Sequence, residues 1–390
     1  MATSAHKDIQ WDSFVTELKA LAKENKYQAN QTDVRHISKI RLWSNLCAAF
    51  GYGTAWIAPN PLSAYLISQS KFTRWTTLAH HILHRGFDKI PNTPRWLRSK
   101  YFGKGWRRWT DWLDWIDIKA WDIEHNVLHH YSLGEKYDPD VVQYNLSFLR
   151  KLQAPTAIKI ILIFLLASAW KWIYYAPSTL KQLHRKQIKA HRFEKEQDAI
   201  RNYRLQISDT QVYSPFTPVG RTLWRKSYLP YFFKNFVFTP GLAYLISPTA
   251  GLYMLLNMLL AEWFTNLHSF IMIVPNHSGD DLMLFQTPCK SKDEFYVRQI
   301  MGSANYATGS DFGDFLHGWL NYQIEHHIFP DMTPLQYQKI QPAVKALCQK
   351  YQIPYAQESV WMRVYRLVQL ICGKSSMHKT DTLIPTTSPA

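Results

Sequence analysis

Three short histidine clusters are the part of this sequence best suited to chemistry. They read His80-His81-Ile-Leu-His84, His125-Asn-Val-Leu-His129-His130 and Gln323-Ile-Glu-His326-His327. Histidines four residues apart lie one above the other on a helix face, so each of the first two clusters can direct two imidazoles at a common point. Members of the adjacent pairs differ by about 100° around a helix, so they can reach two separate ions.

The number of histidines indicates which metal they suit. Imidazole is a good iron ligand, and several imidazoles around two irons leave positions open for oxygen. Zinc is the rival metal, but structural zinc sites use four ligands, so the larger set here fits a dinuclear site better. Two isolated histidines, His268 and His277, flank the end of the last apolar stretch, whereas His81 and His317 are weaker candidates.

Apolar segments beside the clusters indicate what positions them. They cover residues of about 42–70, 156–174, 230–247 and 250–275. The mean hydropathy of −0.28 is that of a soluble protein, but it averages apolar segments with basic ones. The 16 Trp and 22 Tyr residues favour membrane–water boundaries. We therefore expect an integral membrane protein that holds its histidine clusters at the boundary.

The order of segments and clusters constrains the topology. If all three clusters meet at one site, an even number of crossings separates the second cluster from the last. Three apolar segments lie between them, so one does not span or two form a single interrupted span. The positive-inside rule puts the basic residues 175–228 in the cytoplasm, which makes 158–172 a non-spanning helix. The high hydrophobicity of residues 158–172 favours a spanning helix instead, and the sequence leaves both alternatives open.

Charge and polar termini indicate partners and boundaries. The formal charge is +16. This excess is typical of positive-inside loops, or of a docking face for an acidic electron carrier or anionic lipid. No recognition motif for nucleic acid accompanies it, so we expect no nucleic-acid partner. Residues 1–40 read as a soluble N-terminal arm without a cleavable signal peptide, 41–372 as the membrane domain, and 373–390 as a disordered tail.

The third cluster carries a resemblance to a known family. Its surroundings, Asn321-Tyr-Gln-Ile-Glu-His-His-Ile-Phe-Pro330, resemble the front-end (linoleoyl-type) branch of the membrane fatty acid desaturase superfamily. The clusters are similar to that family's boxes HxxxH, HxxxHH and QxxHH, and the likeness covers residues of about 75–355. It implies an all-α integral membrane protein with about four transmembrane helices and a cytoplasmic helical cap that holds a histidine-rich di-iron site.

The resemblance also implies a ligand set. The metal ligands it implies are His80, His84, His125, His129, His130, His277, His326 and His327. His268 competes with His277 for the place near the end of the last membrane helix. Gln323 is implied as a ligand or a close neighbour of one, and His81 stands where the family commonly has aspartate.

The implied activity is O2-dependent desaturation of a fatty acyl chain, carried by a lipid or an acyl thioester. Two iron ions are the implied cofactor and O2 the co-substrate. The haem-binding motif His-Pro-Gly-Gly does not occur, so a separate donor, cytochrome b5 or ferredoxin with its reductase, is expected. The expected location is multi-pass in a bacterial inner membrane or the endoplasmic reticulum, with the active site on the cytoplasmic side.

Two alternatives stay open at this point. The same di-iron clusters serve hydroxylases of an acyl chain, a carotenoid or a sterol, so the histidines do not discriminate between the two reactions. A non-catalytic membrane metal-binding or transport protein is the alternative from another class. Transporters place ionisable groups at bilayer depth, whereas these clusters sit beside the apolar segments, which favours the enzyme.

Overall fold

The computed structural model describes residues 10–191 and 209–380, and this part of the chain is mostly helical. The α-helices before the gap are α1 Trp11–Tyr27, α2 Gln31–Thr54, α3 Pro61–Thr73, α4 His80–Leu83, α5 Ile118–Trp121, α6 His130–Ser132, α7 Val142–Asn145, α8 Ser147–Lys151, α9 Thr156–Ala167 and α10 Ala176–His191. Those after it are α11 Asp209–Tyr213, α12 Pro218–Leu223, α13 Leu229–Phe232, α14 Thr239–Tyr244, α15 Pro248–Ile273, α16 Lys292–Met301, α17 Asp311–His317, α18 Gln323–Ile328, α19 Pro334–Lys350 and α20 Val360–Ile371.

Wider and tighter turns join several of these helices. The π-helical segments are Arg74–Ala79, Asp122–His129, Lys171–Tyr175, Trp224–Tyr228 and Phe233–Phe238, and the 3₁₀ segments are Arg95–Leu97, Gly105–Trp109, Val274–His277 and Leu320–Tyr322. Residues 61–83 and 218–244 are therefore continuously helical. π-Helical turns occur frequently at functional sites, and here one precedes the first histidine cluster while another contains much of the second.

Two helical hairpins form the apolar half of the molecule. The first joins α2 to α3 through a short turn, where the Asn60 side chain accepts from the Ser63 amide and Pro61 occupies the first helical position. The second joins α14 to α15, where Ser247 caps the helix in the same way and Pro248 begins it. α3 packs between α2 and α15, and α14 packs against α15.

Large apolar side chains project outward from these hairpins and from α9. Examples are Phe50, Leu62, Ile161, Leu245 and Leu252, which are 53–81% exposed. By length and composition, one helix of the described ranges, Pro248–His277, can cross a membrane. Thr156–Ala167 and Lys171–Lys186 pass the same test together, but they are bent by 77°. The four crossings expected from the sequence remain a prediction.

The helical cap includes the N-terminal residues. α2 runs through residue 40, so the structure has no boundary there. α1 packs on α19 and α16, and the Phe14 side chain is fully buried. The N-terminal arm therefore belongs to the packed cap within the described residues.

Two short parallel strand pairs tie the cap together. β1 Met283–Phe285 pairs with β4 His378–Thr380, and β2 Ala304–Asn305 pairs with β3 Ala356–Gln357. Met377 is buried just before β4. The start of the predicted disordered tail is thus ordered up to Thr380, because its backbone extends a strand pair, and residues 381–390 lie outside the described part.

Candidate metal centre

Five elements bring the histidines together from distant parts of the chain. His80 and His84 lie on α4 and at its end, His125 and His129 lie in the π-helical turns that α5 leads into, and His130 begins α6. His326 and His327 lie on α18, and His277 ends the 3₁₀ turn that follows α15. All these elements meet in the cap, next to the apolar hairpins.

Five imidazoles form a first group. One ring nitrogen from each lies within 4.8 Å of those of the others, and the members are His80, His84, His125, His130 and His326. The Nε2 atom of His80 lies 2.9 Å from Nε2 of His326 and 3.0 Å from Nε2 of His125. Pairs of ring nitrogens that face each other this closely across several rings are the arrangement expected where imidazoles share a cation.

Three imidazoles form a second group beside the first. His129, His277 and His327 bring their ligand atoms within 4.8 Å of one another. The side-chain amide of Gln323 contacts Nε2 of His277 at 2.9 Å. The two groups adjoin where the rings of His130 and His327 stack with centroids 4.2 Å apart. The arrangement can hold two ions side by side.

The adjacent histidine pairs divide between the groups, as their helical angle predicts. His129 and His130 belong to different groups, and so do His326 and His327. The pair His125 and His129 behaves differently from the sequence expectation. His125 faces His80, and it approaches His129 in a further cluster that includes Asp140. A π-helical turn carries both residues, and its wider winding changes the angle between them.

Polar partners fix the rings of the histidines from behind. His129 Nδ1 lies 2.9 Å from the Asp138 carboxylate, and His327 Nδ1 lies 2.9 Å from the Gln299 amide oxygen. The Nδ1 atoms of three others contact the Thr76 carbonyl (His80), the Gly302 carbonyl (His277) and the Tyr337 hydroxyl (His326). An acceptor at Nδ1 keeps the proton there and leaves the Nε2 lone pair directed into the site.

Sequence reasoning missed most of these partners. The spacing of Asp138 and Gln299 from the histidine clusters predicts neither contact. Gln299 lies 28 residues before the histidine it orients. Glutamine is common on helix surfaces, so its type and position gave no signal.

The chemistry of the group fits a metal ion. His84 Nε2 and His327 Nε2 are buried, and neither has a hydrogen-bond partner among the described residues. Burial, followed by neighbouring imidazoles, holds the pKa of the following residues well below the usual histidine value: His80, His84, His125, His130, His326 and His327. These rings are therefore neutral at physiological pH, as metal ligation requires. Burial also acts on His129, but the Asp138 carboxylate outweighs it and raises the pKa of that ring.

Three other histidines lie apart from the two groups. His268 Nε2 contacts the Leu316 carbonyl at 2.9 Å, and its ring stacks on Phe72. His81 contacts the Thr77 carbonyl, and His317 contacts the Gly313 carbonyl. Of the two competitors near the end of α15, His277 is thus the one that joins a histidine group.

A narrow apolar cavity of about 90 Å³ opens against the histidines. His80, His125, His129 and His277 form part of its wall. The rest is mainly apolar and aromatic, with Trp75, Trp121, Leu166, Trp170, Tyr175 and Phe270 among the lining residues. An apolar and aromatic lining of this kind suits contact with a hydrocarbon chain.

A comparison with known protein families shows the family to which the chain belongs. The family model "Fatty acid desaturase" matches residues 54–359, which contain all three histidine clusters. The chain belongs to the fatty acid desaturase family. The match confirms the resemblance inferred from the histidine boxes. The fatty acid desaturase family is membrane-associated.

Curated relatives match shorter stretches of this family member. NADPH-dependent stearoyl-CoA 9-desaturase of Mycobacterium tuberculosis is 31% identical over 126 residues, which is 32% of this chain and 29% of the relative. The sn-1 linoleoyl-lipid 6-desaturase of Synechocystis is 35% identical over 63 residues, 16% of this chain and 18% of the relative. Delta(5) fatty acid desaturase A of Dictyostelium discoideum is 29% identical over 103 residues, 25% and 22% of the two chains. The matches thus span under a third of these relatives, and no solved structure matches the chain significantly.

Proposed function

We propose that this protein is an O2-dependent fatty acyl desaturase whose histidines hold a pair of iron ions. The observation that carries the proposal is the convergence of two imidazole groups beside an apolar cavity. Membership of the desaturase family supports it, as do relatives named as desaturases.

The chain offers a separate ligand set to each ion. One ion would be held by His80, His84, His125, His130 and His326, and the other by His129, His277 and His327 with Gln323 beside them. Bound iron supplies the oxidising chemistry that removes hydrogen from an unactivated methylene pair. The overall reaction takes O2, two external electrons, two protons and two hydrogens of the chain, and it yields a double bond and two waters.

The protein's own contribution is to position the acyl chain and exclude water. Trp75 and Trp170 form a rigid wall, and the Trp170 ring nitrogen donates to the Asn266 carbonyl at 2.9 Å. Tyr175 turns its hydroxyl away to the Glu124 carboxyl at 3.1 Å. Such fixed walls bring one methylene pair to the reacting centre, which is the effect of a positioned near-attack geometry.

The substrate proposed here carries a phosphate-bearing head group, either as a phospholipid or as an acyl-CoA. A groove of about 920 Å³ shares Asn145 and Tyr174 with the apolar cavity. Four basic residues line that groove: Lys136, Lys181, Arg185 and Lys186. The double variant Lys136→Gln/Arg185→Gln should raise KM for a phosphate-bearing substrate and leave KM for a free fatty acid unchanged. An equal change for both substrates would contradict the head-group assignment.

The electrons come from a separate acidic carrier, such as cytochrome b5 or ferredoxin with its reductase. A surface groove lined by several cations lies directly beside the first histidine group, because Leu83 lines it and precedes His84. Its cations include Arg85, Lys100, Lys104, Lys119 and Lys226. Complementary charge speeds such encounters and makes them sensitive to salt. Lys100→Glu/Lys119→Glu should therefore slow reduction by the carrier without changing the iron content.

The proposed topology has four crossings arranged as the two hairpins. The crossings would lie within residues 31–54, 61–79, 218–244 and 248–273, and α9 would enter the membrane and turn back at its 77° bend. This satisfies the even number of crossings between the second and third clusters. It places the cap and the metal centre on the cytoplasmic side of a bacterial inner membrane or the endoplasmic reticulum.

Lipid profiling of an expression host tests the function. The wild type should yield a new double bond in host acyl chains, and His326→Ala should abolish it. His317→Ala is the matched control, because His317 lies outside both histidine groups and should leave the product intact. A new hydroxyl group in place of the double bond would contradict desaturation and support the hydroxylase alternative. Equal loss in the His326 and His317 variants would refute the ligand assignment.

A further inference from the structure

Another groove, distinct from the two described above, lies between α2, α3 and α14, beneath the loop of residues 109–114. We call it the basic groove. Its volume is about 780 Å³, and it shares no lining residue with the apolar cavity at the histidines. Four cationic side chains line it: Arg41, Lys71, Arg74 and Lys234. The groove is therefore separate from the metal centre, and its cations need an explanation.

Three of the four cations contact only neutral groups within the described residues. The Arg74 guanidinium donates to the Thr110 carbonyl at 2.7 Å and to the Asn45 side chain at 2.9 Å. The Lys234 ammonium donates to the Trp109 carbonyl at 3.1 Å. Arg41 lies over the Trp96 ring, 4.2 Å from its centroid. These contacts position the cations without neutralising them.

Two carboxylates, Asp111 and Asp114, line the groove and Glu262 lies near it, but all three have other partners. Asp111 accepts two hydrogen bonds from the Arg107 guanidinium, each at 3.0 Å. Asp114 pairs with the fully buried Lys171 at 2.7 Å. Glu262 accepts from the Trp115 ring nitrogen at 2.6 Å and lies 3.4 Å from Lys71. The groove keeps an uncompensated positive charge, which is the electrostatic requirement for binding an anion.

The rest of the groove is apolar and follows the hairpins. Tyr52 of α2 and Trp56 in the turn after it line one side, and Leu242 and Ile246 line the other. Leu242 and Ile246 are 52% and 63% exposed and continue the outward-facing apolar surface of the hairpins. Trp109, 47% exposed, stands at the basic end, as tryptophan does at a membrane–water boundary. A soluble anion would contact only the basic end of the groove, whereas a lipid would contact both the basic end and the apolar walls.

We infer that the basic groove holds an anionic phospholipid, with its phosphate against Arg74 and Lys234 and an acyl chain along Tyr52 and Leu242. This inference rests on the proposed membrane placement and is independent of the iron. Each cation near a membrane surface strengthens binding of an anionic lipid by about fivefold. Loss of both Arg74 and Lys234 should therefore weaken binding about 25-fold.

The test is lipid binding to the full chain, purified in neutral detergent and measured by native mass spectrometry. Phosphatidylglycerol and phosphatidylcholine with identical acyl chains serve as probes, and glycerol 3-phosphate serves as the soluble anion. The variants are Arg74→Gln/Lys234→Gln and the single Lys234→Gln, because loss of Arg74 also removes contacts to the loop. The matched control is Lys100→Gln/Lys119→Gln, which removes two exposed cations outside the groove.

We expect the wild type to retain phosphatidylglycerol in preference to phosphatidylcholine. The single variant should lose about fivefold and the double variant about 25-fold in affinity, while the control retains wild-type affinity. Equal binding of the two lipids, or equal loss in the control, would overturn the inference. Glycerol 3-phosphate binding as tightly as the lipid would overturn it too. If the purified protein carried no iron but still bound phosphatidylglycerol, the proposed activity would be contradicted and this inference would be supported.

Discussion

Replacing Asp138 by asparagine should weaken iron binding by about 10- to 100-fold, the usual effect of removing a carboxylate that orients a ligating histidine. The side chain is only 2% exposed, and its Oδ1 accepts from His129 Nδ1 and from the Asp140 amide, both at 2.9 Å. Asparagine keeps an oxygen there but removes the negative charge that makes His129 a stronger donor to a metal. The loss corresponds to about 1.4–2.8 kcal/mol of binding free energy.

The same substitution has a separate effect on stability. The Gly134 amide donates to Asp138 Oδ2 at 2.8 Å. In the variant an NH2 group faces that N–H, and a buried donor left without an acceptor costs about 1–3 kcal/mol. The two effects can be separated, because the first concerns iron affinity and the second concerns thermal unfolding of the chain without iron.

The assay is competition for iron against a coloured chelator, combined with thermal unfolding of the iron-free protein. Asp293→Asn is the matched control, because Asp293 forms a partly exposed ion pair with Lys19 at 2.7 Å. It should cost less than about 1 kcal/mol of stability and leave iron affinity unchanged. If Asp138→Asn lost stability but bound iron as the wild type does, Asp138 would only support the loop, and the argument for oriented imidazoles would fail.

Three further predictions concern the cavity, the metal and a buried acid. Leu166→Trp should reduce turnover of long acyl chains by about 10- to 100-fold, as seen in product chain lengths, while Leu165→Trp on the exposed face of α9 should not. Removal of iron by a chelator should lower the unfolding temperature, because ligand binding to the folded state stabilises it, and added iron should restore it. Burial raises the pKa of Glu325 to about 7, so the folded carboxyl binds a proton that the unfolded chain has released above about 4.5. Stability should therefore fall as pH rises from about 4.5 to 7, and Glu325→Gln should flatten that part of the unfolding profile.

The histidine clusters were predictable because helical geometry converts their spacing into direction. Adjacent histidines diverge on a helix, and His326 and His327 do fall into separate groups. The π-helical winding of Asp122–His129 could not be predicted, and it changes how His125 and His129 share the site. The choice between His268 and His277 also needed the structure, because both flank the end of one helix and only tertiary packing separates them.

The apolar hairpins are harder to recognise in sequence, for a physical reason. Residues 218–244 include Arg221, Arg225, Lys226 and Lys234, which lower the hydropathy although much of the segment exposes apolar side chains. Long basic side chains can place their charge at a boundary while their stems cover apolar surface. The ordered C-terminal strand His378–Thr380 was missed because polar residues can pair through the backbone alone.

Iron content of the purified protein, combined with X-ray absorption at the iron edge, tests the central claim most directly. If the two imidazole groups each hold an ion, the chain should carry about two irons within a shell dominated by nitrogen ligands. His129→Ala should remove iron from the second group first. Zinc in place of iron, a single iron per chain, or full iron content in that variant would contradict the account.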